Sequence, residues 1–256
     1  MKRRRFMHYV QAGLITGLGG GIATHWQASS AQAAGSLGIR WLGHTCFLFS
    51  GDGLEVLVNP FRPVGCTAKY AAPRVSANIV LISSRLLDEG VVEGLGGKPK
   101  LLFEPGAYKT NGLQFQGIRT LHDRVNGYRF GTNVAWKWVQ GGINVVHLGG
   151  IASPISVEQK ILMSRPDVLL IPVGGSAKAY TPAEAKTAIE TLNPKLVIPT
   201  HYKTAATDPK TCDLQPVEDF LSLMKGTTIR RMGSNAITVT SSSLPSSGQV
   251  IQVFDK

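Results

Sequence analysis

The 256-residue sequence predicts an α/β protein of two sheets covered by outer helices. Three observations predict this class. Apolar, β-rich segments dominate the chain up to about residue 139, strand and helix patterns alternate after residue 145, and two strand patterns follow near the end. This order is typical of sheets packed face to face beneath helices. A hydrophobic fraction of 43% is enough for a substantial core.

The first 33 residues predict a twin-arginine-type export signal that is separate from the fold. Arg3 and Arg4 lie in a basic segment, a mildly apolar segment follows, and the small residues 31–33 (AQA) form a cleavage site. Export to the periplasm or another exported compartment follows from this pattern. Residues 34–256 then form one domain, because no linker pattern interrupts residues 37–240.

An ordinary secretory signal or an uncleaved anchor is the alternative interpretation of this segment. Glycines at 19–21 interrupt the apolar run before it reaches the roughly 20 residues that a spanning helix needs. We therefore expect no stable membrane insertion after cleavage.

The charge of the chain is strongly basic. The formal net charge of +11 falls to +7 without residues 1–33, which hold four basic residues and no acidic residue. A basic exported domain is compatible with a small anionic molecule, an acidic polymer or a membrane surface as partner, but a merely solvated basic surface is the favoured interpretation. No cluster of Lys and Arg interleaved with aromatic residues appears after residue 37, so no nucleic-acid partner is predicted.

The three cysteines, Cys46, Cys66 and Cys212, predict no zinc knuckle or redox pair, because no CxxC spacing occurs. One disulfide and one free thiol could form after export, and the sequence leaves the pairing open. Cys46 lies in the apolar run 45–49 and is interpreted as a small core residue.

Strand patterns are short apolar or alternating runs bounded by glycine-rich or Asn-Gly turns. They lie at 38–44, 46–49, 54–61, 79–82, 101–103, 113–118, 134–139, 145–148, 168–173, 196–200, 237–240 and 250–254.

Helix patterns are marked by their caps. Ser156 and Thr181 each begin a capping box, and Pro182 follows the second as the first helical residue. The helix from Pro182 ends before Asn193, and a third helix covers about 216–225. A short helix is also predicted at 88–95.

Polar residues follow several of these buried strands. The run 79–82 leads into Ser83, Ser84 and then Asp88 and Glu89, while later runs end in His or Gly. Strand ends at one edge are where α/β proteins place their chemistry, so these segments predict a shared site.

The chain also resembles the metallo-beta-lactamase superfamily, in particular its branch similar to ascorbate-6-phosphate lactonase. The matching segments follow the family's order from about residue 38 to 205: 41–47 (WLGHTCF), 57–61 (LVNPF), 121–123 (LHD), 144–150 (NVVHLGG), 167–175 (DVLLIPVGG), 183–188 and 194–203 (PKLVIPTHYK). The resemblance implies a four-layer αββα sandwich with a metal site, usually of two zinc ions, along one edge.

The family's metal ligands are largely replaced in this sequence. One family loop normally reads His-x-His-x-Asp-His, and here Ser84, Leu86 and Glu89 occupy the three His positions while Asp88 matches. Gly150 stands where a bridging Asp belongs. The resemblance thus leaves four candidate ligands, Asp88, Glu89, His122 and His201, and at most one divalent ion of zinc, manganese or iron. An Asp-Glu pair that merely caps a helix, with no metal bound, is the alternative.

Other polar residues have two interpretations each. His122 with Asp123 fits a general base and its orienter, or a turn. His44 faces the cleft in the family or marks a strand bend. His147 is favoured as a buried, hydrogen-bonded histidine over a base. Tyr202, beside the site-edge residue His201, is a candidate ligand contact together with His44 and His147.

The sequence therefore predicts an exported, hydrolase-like protein with a largely eroded dinuclear site, either inactive or mononuclear. Two alternatives remain open: an active single-metal hydrolase of a phosphoester, lactone or amide, and a metal-free module that binds a ligand or a partner.

Overall fold

The computed structural model describes residues 35–208 and 210–254. The export signal predicted for residues 1–33 lies outside the described residues. A six-stranded sheet has the order β13-β1-β2-β3-β4-β5, antiparallel up to β3 and parallel beyond it. Its strands are β1 (Ser36–Gly43), β2 (Cys46–Gly51), β3 (Leu54–Val58), β4 (Ile79–Leu81), β5 (Lys100–Leu102) and β13 (Ala236–Thr240).

An eight-stranded sheet has the order β12-β14-β11-β10-β9-β8-β7-β6. The pairs β6–β7, β7–β8 and β8–β9 are antiparallel. The pairs β9–β10, β10–β11, β11–β14 and β14–β12 are parallel. Its strands are β6 (Gly106–Thr110), β7 (Leu113–Leu121), β8 (Thr132–Gln140), β9 (Ile143–His147), β10 (Val168–Pro172), β11 (Leu196–Thr200), β12 (Thr228–Met232) and β14 (Val250–Phe254).

The core combines buried parallel strands with aromatic contacts between the sheets. Every residue of β10 and β11 is buried, which is why both strands appear in the sequence as unbroken apolar runs. Phe49 of the first sheet meets Trp138 of the second edge to face, with ring centroids 4.9 Å apart. The indole nitrogen of Trp136 donates a hydrogen bond to the carbonyl of Ile82, which joins β8 to the exit of β4.

Three α-helices occur within the described ranges: α1 (Val157–Met163), α2 (Pro182–Leu192) and α3 (Val217–Leu223). Both predicted capping boxes are formed, with Ser156 and Thr181 accepting hydrogen bonds from the backbone of the third helical residue. Asn193 ends α2 in a left-handed conformation. Helix α2 contacts α1 and α3, and α1 contacts β7. Two mixed sheets with few helices confirm the predicted α/β sandwich.

The helix predicted at 88–95 is wrong, because these residues form turns. Asp88 and Glu89 direct their carboxylates to Lys178 and His122 instead of capping a helix. Gly90 packs so tightly that an added Cβ would lie 2.1 Å from the carbonyl oxygen of Ser84. The structure also adds two strands, β6 and β12, that the sequence did not predict.

Cys66 and Cys212, which are 146 positions apart in sequence, form the disulfide. Cys46 lies outside the disulfide and is buried in β2, as predicted for a small core residue. In the part of the chain that is described, none of the helices is both long and apolar enough to cross a bilayer.

Candidate metal centre

His44 enters the site from the bend between β1 and β2. Its backbone is left-handed, with φ of +54°, and it follows Gly43 with φ of +122°. A Cβ at Gly43 would lie 2.4 Å from the ring of Tyr70, so glycine is required there. The indole of Trp41 donates a hydrogen bond to the His44 carbonyl. His44 therefore both forms the bend between β1 and β2 and directs its ring into the site, so its two interpretations are compatible.

His201 enters directly after β11 and is also left-handed, with φ of +53°. Gly174 packs against its backbone, where an added Cβ would lie 2.1 Å from the His201 carbonyl oxygen. Burial, followed by the nearby charges of His44 and Lys178, holds the pKa of His201 well below its ordinary value. The ring therefore stays neutral at ordinary pH, which is the form that binds metals.

Three side chains, those of His44, Asp88 and His201, converge at this point. One ligand atom from each lies within 4.8 Å of the others. Both ring nitrogens of His44 and Nδ1 of His201 are buried and have no hydrogen-bond partner among the described residues. Two imidazoles and one carboxylate are a donor set that suits Zn²⁺ and similar divalent ions. The residues present therefore fit one metal ion.

Asp88 is paired with Lys178. The ammonium contacts Asp88 Oδ2, while His44 Nε2 lies 3.7 Å from the same oxygen, beyond hydrogen-bond length. Burial would raise the pKa of Asp88, but the neighbouring His44 and Lys178 lower it well below its usual range. The carboxylate is therefore ionised and available to a cation.

Glu89 forms a separate, fully buried pair with His122. Its Oε1 contacts His122 Nε2 and accepts a hydrogen bond of 3.0 Å from the Ser84 hydroxyl. Burial opposes both charges, yet the pair lowers the pKa of Glu89 and raises the pKa of His122. Glu89 Oε1 and His122 Nε2 thus bind each other, while Glu89 Oε2 and His122 Nδ1 are buried without a hydrogen-bond partner among the described residues.

Gly150 has no room for a side chain. An added Cβ would lie 2.4 Å from Cε1 and 2.8 Å from Nε2 of His122, and 3.0 Å from Glu89 Oε1. The His122 and Glu89 pair therefore fills the space that a bridging carboxylate at residue 150 would enter.

Asp123 organises the loop after β7 and does not orient His122. Its two carboxylate oxygens accept four backbone N–H bonds of 2.7 to 2.9 Å. Burial raises the pKa of Asp123, but these four bonds outweigh it and lower the pKa to about 2. The structure therefore places Asp123 in the turn and pairs His122, predicted as a ligand, a general base or a turn histidine, with Glu89.

His147 and Tyr202 lie in the interior. His147 Nε2 donates to the Thr45 carbonyl, and its Nδ1 accepts from the Gly149 N–H, so the ring is buried and hydrogen-bonded as favoured from the sequence. The Tyr202 hydroxyl donates to the Phe254 carbonyl, and its ring stacks on Trp41. His147 thus bonds to the residue after His44, and Tyr202 directly follows His201 in sequence.

Of the four predicted ligands, the structure thus brings Asp88 and His201 together and directs Glu89 to His122. His44, predicted as a ligand contact, joins the cluster. Sequence reasoning missed Lys178, since a single lysine in the loop before α2 matches no motif.

A cluster of two histidines and one aspartate resembles the ligand sets of catalytic zinc sites. The family model described as the beta-lactamase superfamily domain matches residues 38–201. The chain belongs to this superfamily.

Two relatives similar in sequence are described as metal-dependent hydrolases. A UPF0173 metal-dependent hydrolase of Methanoculleus marisnigri is 28% identical over 185 residues, covering 65% of this chain and 81% of that protein. A second, from Methanopyrus kandleri, is 26% identical and covers 65% and 84%.

Solved structures show the same fold. A protein of Thermotoga maritima, described as a Zn-dependent hydrolase of the metallo-beta-lactamase superfamily, has a TM-score of 0.67 and 30% identity, covering 86% of this chain and all of that one. The metallo hydrolase Igni18 of Ignicoccus hospitalis, at 18% identity and a TM-score of 0.60, shares the fold.

Proposed function

We propose that this chain is an exported, hydrolase-like protein that binds one divalent metal ion where its superfamily usually binds two. The observation that carries the proposal is the convergence of His44, Asp88 and His201 with buried, unpartnered imidazole nitrogens. Unpartnered buried polar atoms are costly, and a bound ion would satisfy them.

The second metal position is eroded in this proposal. Ser84 and Leu86 stand where the family has imidazoles, and neither replaces one as a ligand. The pair of Glu89 and His122 fills the space beside Gly150 with a neutralised ion pair. A second ion bound to Glu89 Oε1 or His122 Nε2 would have to break that buried pair, which is strongly unfavourable.

A bound ion would polarise the scissile bond of a phosphoester, lactone or amide and lower the pKa of water. His44 and His201 would hold it through ring nitrogens, and Asp88 would provide the negative charge. The basic surface of the domain favours a small anionic substrate. The resemblance to the ascorbate-6-phosphate lactonase branch leads us to propose a phosphorylated lactone as the first substrate to test.

Elemental analysis of the purified domain 34–256 tests the metal proposal. We expect close to one equivalent of zinc, manganese or iron in the wild type grown with all three, and a strong loss in the Asp88→Ala variant. Gly233→Ala is a matched control, because an added Cβ there meets nothing within 4 Å. A wild type without stoichiometric metal would end the proposal, and two equivalents would contradict the erosion of the second position.

A metal-free binding module is the second candidate function. It is favoured by the two ion pairs, Lys178 with Asp88 and His122 with Glu89, which neutralise both carboxylates without any metal. This candidate predicts binding of a small anion that is unchanged by chelators. Calorimetry with inorganic phosphate, with and without EDTA, separates it from the hydrolase.

Export through the twin-arginine route is supported by the pair Arg3 and Arg4 and by the disulfide, which persists in oxidising compartments. A fusion of residues 1–33 to a folded reporter tests it. We expect the reporter in the periplasm, and retention in the cytoplasm after Arg3→Lys with Arg4→Lys. Export that survives this double change would indicate an ordinary secretory signal.

A further inference from the structure

Lys178 is a cation at this site that lies outside the short segments that carry the superfamily resemblance. It lies in the loop between β10 and α2, and its ammonium contacts Asp88 Oδ2, the oxygen that lies 3.7 Å from His44 Nε2. The side chains of Lys178 and Asp88 are only 21% and 13% exposed. The pair therefore closes the outer side of a cluster whose histidines are buried.

The loop that carries Lys178 is held in place on both sides of the lysine. The guanidinium of Arg124 donates to the Ser176 carbonyl at 2.9 Å and to the Ala179 carbonyl at 2.7 Å. The same guanidinium binds both carboxylate oxygens of Glu184 in α2. A backbone bond of 2.8 Å from Gly175 to Tyr180 closes the base of the loop. Lys178 is thus presented to Asp88 by a braced loop.

Asp88 provides the only carboxylate of the three converging ligands. An ammonium in contact with Asp88 Oδ2 takes the place of an ion bound there, and two cations this close repel each other in a poorly solvated site. In the absence of metal, the ammonium removes the penalty of leaving a buried carboxylate unpaired. The two states of the site therefore differ in which cation neutralises Asp88.

We propose that Lys178 is an intramolecular competitor for the metal: its ammonium neutralises Asp88 while the site holds no ion, and must leave that oxygen when a divalent ion binds. The inference rests on the proposed metal site. It implies that the lysine weakens metal affinity and stabilises the metal-free fold.

Zinc titration of the domain 34–256 by calorimetry, at one pH, tests this competition. The test variant is Lys178→Met, which keeps the aliphatic stem and removes the charge. The control is Lys186→Met, since Lys186 lies on α2 and pairs with the exposed Glu190. We expect Lys178→Met to bind Zn²⁺ at least tenfold more tightly than the wild type and the control to match the wild type.

Thermal unfolding provides a readout that does not depend on activity. Without metal, Lys178→Met should unfold at a lower temperature than the wild type, because Asp88 loses its partner. Saturating Zn²⁺ should then raise its Tm more than that of the wild type. Adding His201→Gly should abolish the gain in affinity.

Three results would overturn the proposal. Equal or weaker Zn²⁺ binding by Lys178→Met would show that the lysine does not compete, while leaving the metal site intact. Tight binding that survives His201→Gly would place the ion elsewhere. Absence of Zn²⁺ binding in both the wild type and Lys178→Met would remove the proposed metal site itself.

Discussion

The rings of His44 and His201 lie with centroids 4.3 Å apart, inclined by 50°, and both residues have a left-handed backbone. Left-handed residues other than glycine are uncommon, and they concentrate at functional sites where surrounding structure holds them. Two such residues in contact, from bends in different sheets, indicate that the fold maintains local strain to bring these imidazoles together.

The strain at residue 201 can be measured by comparing His201→Gly with His201→Ala. Both changes remove the imidazole, but glycine adopts a φ of +53° freely. We expect the glycine variant to be more stable by about 1 kcal/mol in urea unfolding. Thr187 in α2 is the control position. There the Thr187→Gly variant should be less stable than the Thr187→Ala variant by about 1 kcal/mol. Equal stability of the two residue 201 variants would mean that the backbone is unstrained.

Restoring an acidic residue at position 150 should not restore a second metal. A side chain there would collide with His122 and Glu89, so Gly150→Asp should lower the free energy of unfolding by about 1 to 3 kcal/mol. Gly233→Ala, in open space, should be neutral. Chemical denaturation and elemental analysis check both parts. A stable Gly150→Asp protein with two metal equivalents would contradict the erosion of that position.

The disulfide should contribute strongly to stability. It joins residues 146 apart, and loss of such a bridge in exported proteins removes about 2 to 5 kcal/mol. We therefore expect the double variant Cys66→Ser with Cys212→Ser to unfold at a clearly lower urea concentration than the wild type. Reductant should lower the unfolding midpoint of the wild type and leave that of the double variant unchanged. The buried thiol of Cys46 should stay unreactive in the folded protein. Labelling of one thiol in the native state would count against this arrangement.

His147 should make stability depend on pH. Burial lowers its pKa from 6.5 to about 4. The unfolded chain therefore takes up the proton more readily, and the free energy of unfolding falls as the pH falls through this window. His147→Gln cannot titrate, so its stability profile should be flatter by up to about 3 kcal/mol between pH 7 and pH 4.

Urea unfolding at several pH values measures this difference. The glutamine variant is expected to be less stable than the wild type at neutral pH, because it loses the two hydrogen bonds of the ring. If the free energy of unfolding of His147→Gln changes with pH as steeply as that of the wild type, groups other than His147 cause the pH dependence.

Local patterns predicted most of the fold. The boundaries of α2 follow from its capping box, its first proline and the Asn193 end. The central strands β10 and β11 follow from unbroken apolar runs. The strand β12 was missed because its residues are mostly exposed and show no periodic burial. The helix at 88–95 was wrongly predicted because the two carboxylates are used by distant partners.

Capping, periodicity and turn chemistry act between residues a few positions apart, so the sequence alone was sufficient for most of the strands, for the three α-helices and for the placement of His122 and His201 at strand ends. Side-chain partners are chosen across the folded molecule. His122 pairs with Glu89 over 33 positions, Lys178 with Asp88 over 90, and Cys66 with Cys212 over 146. Such pairings depend on packing and on which buried charge lies nearest, and it was the three-dimensional fold that brought His44 and Lys178 to Asp88.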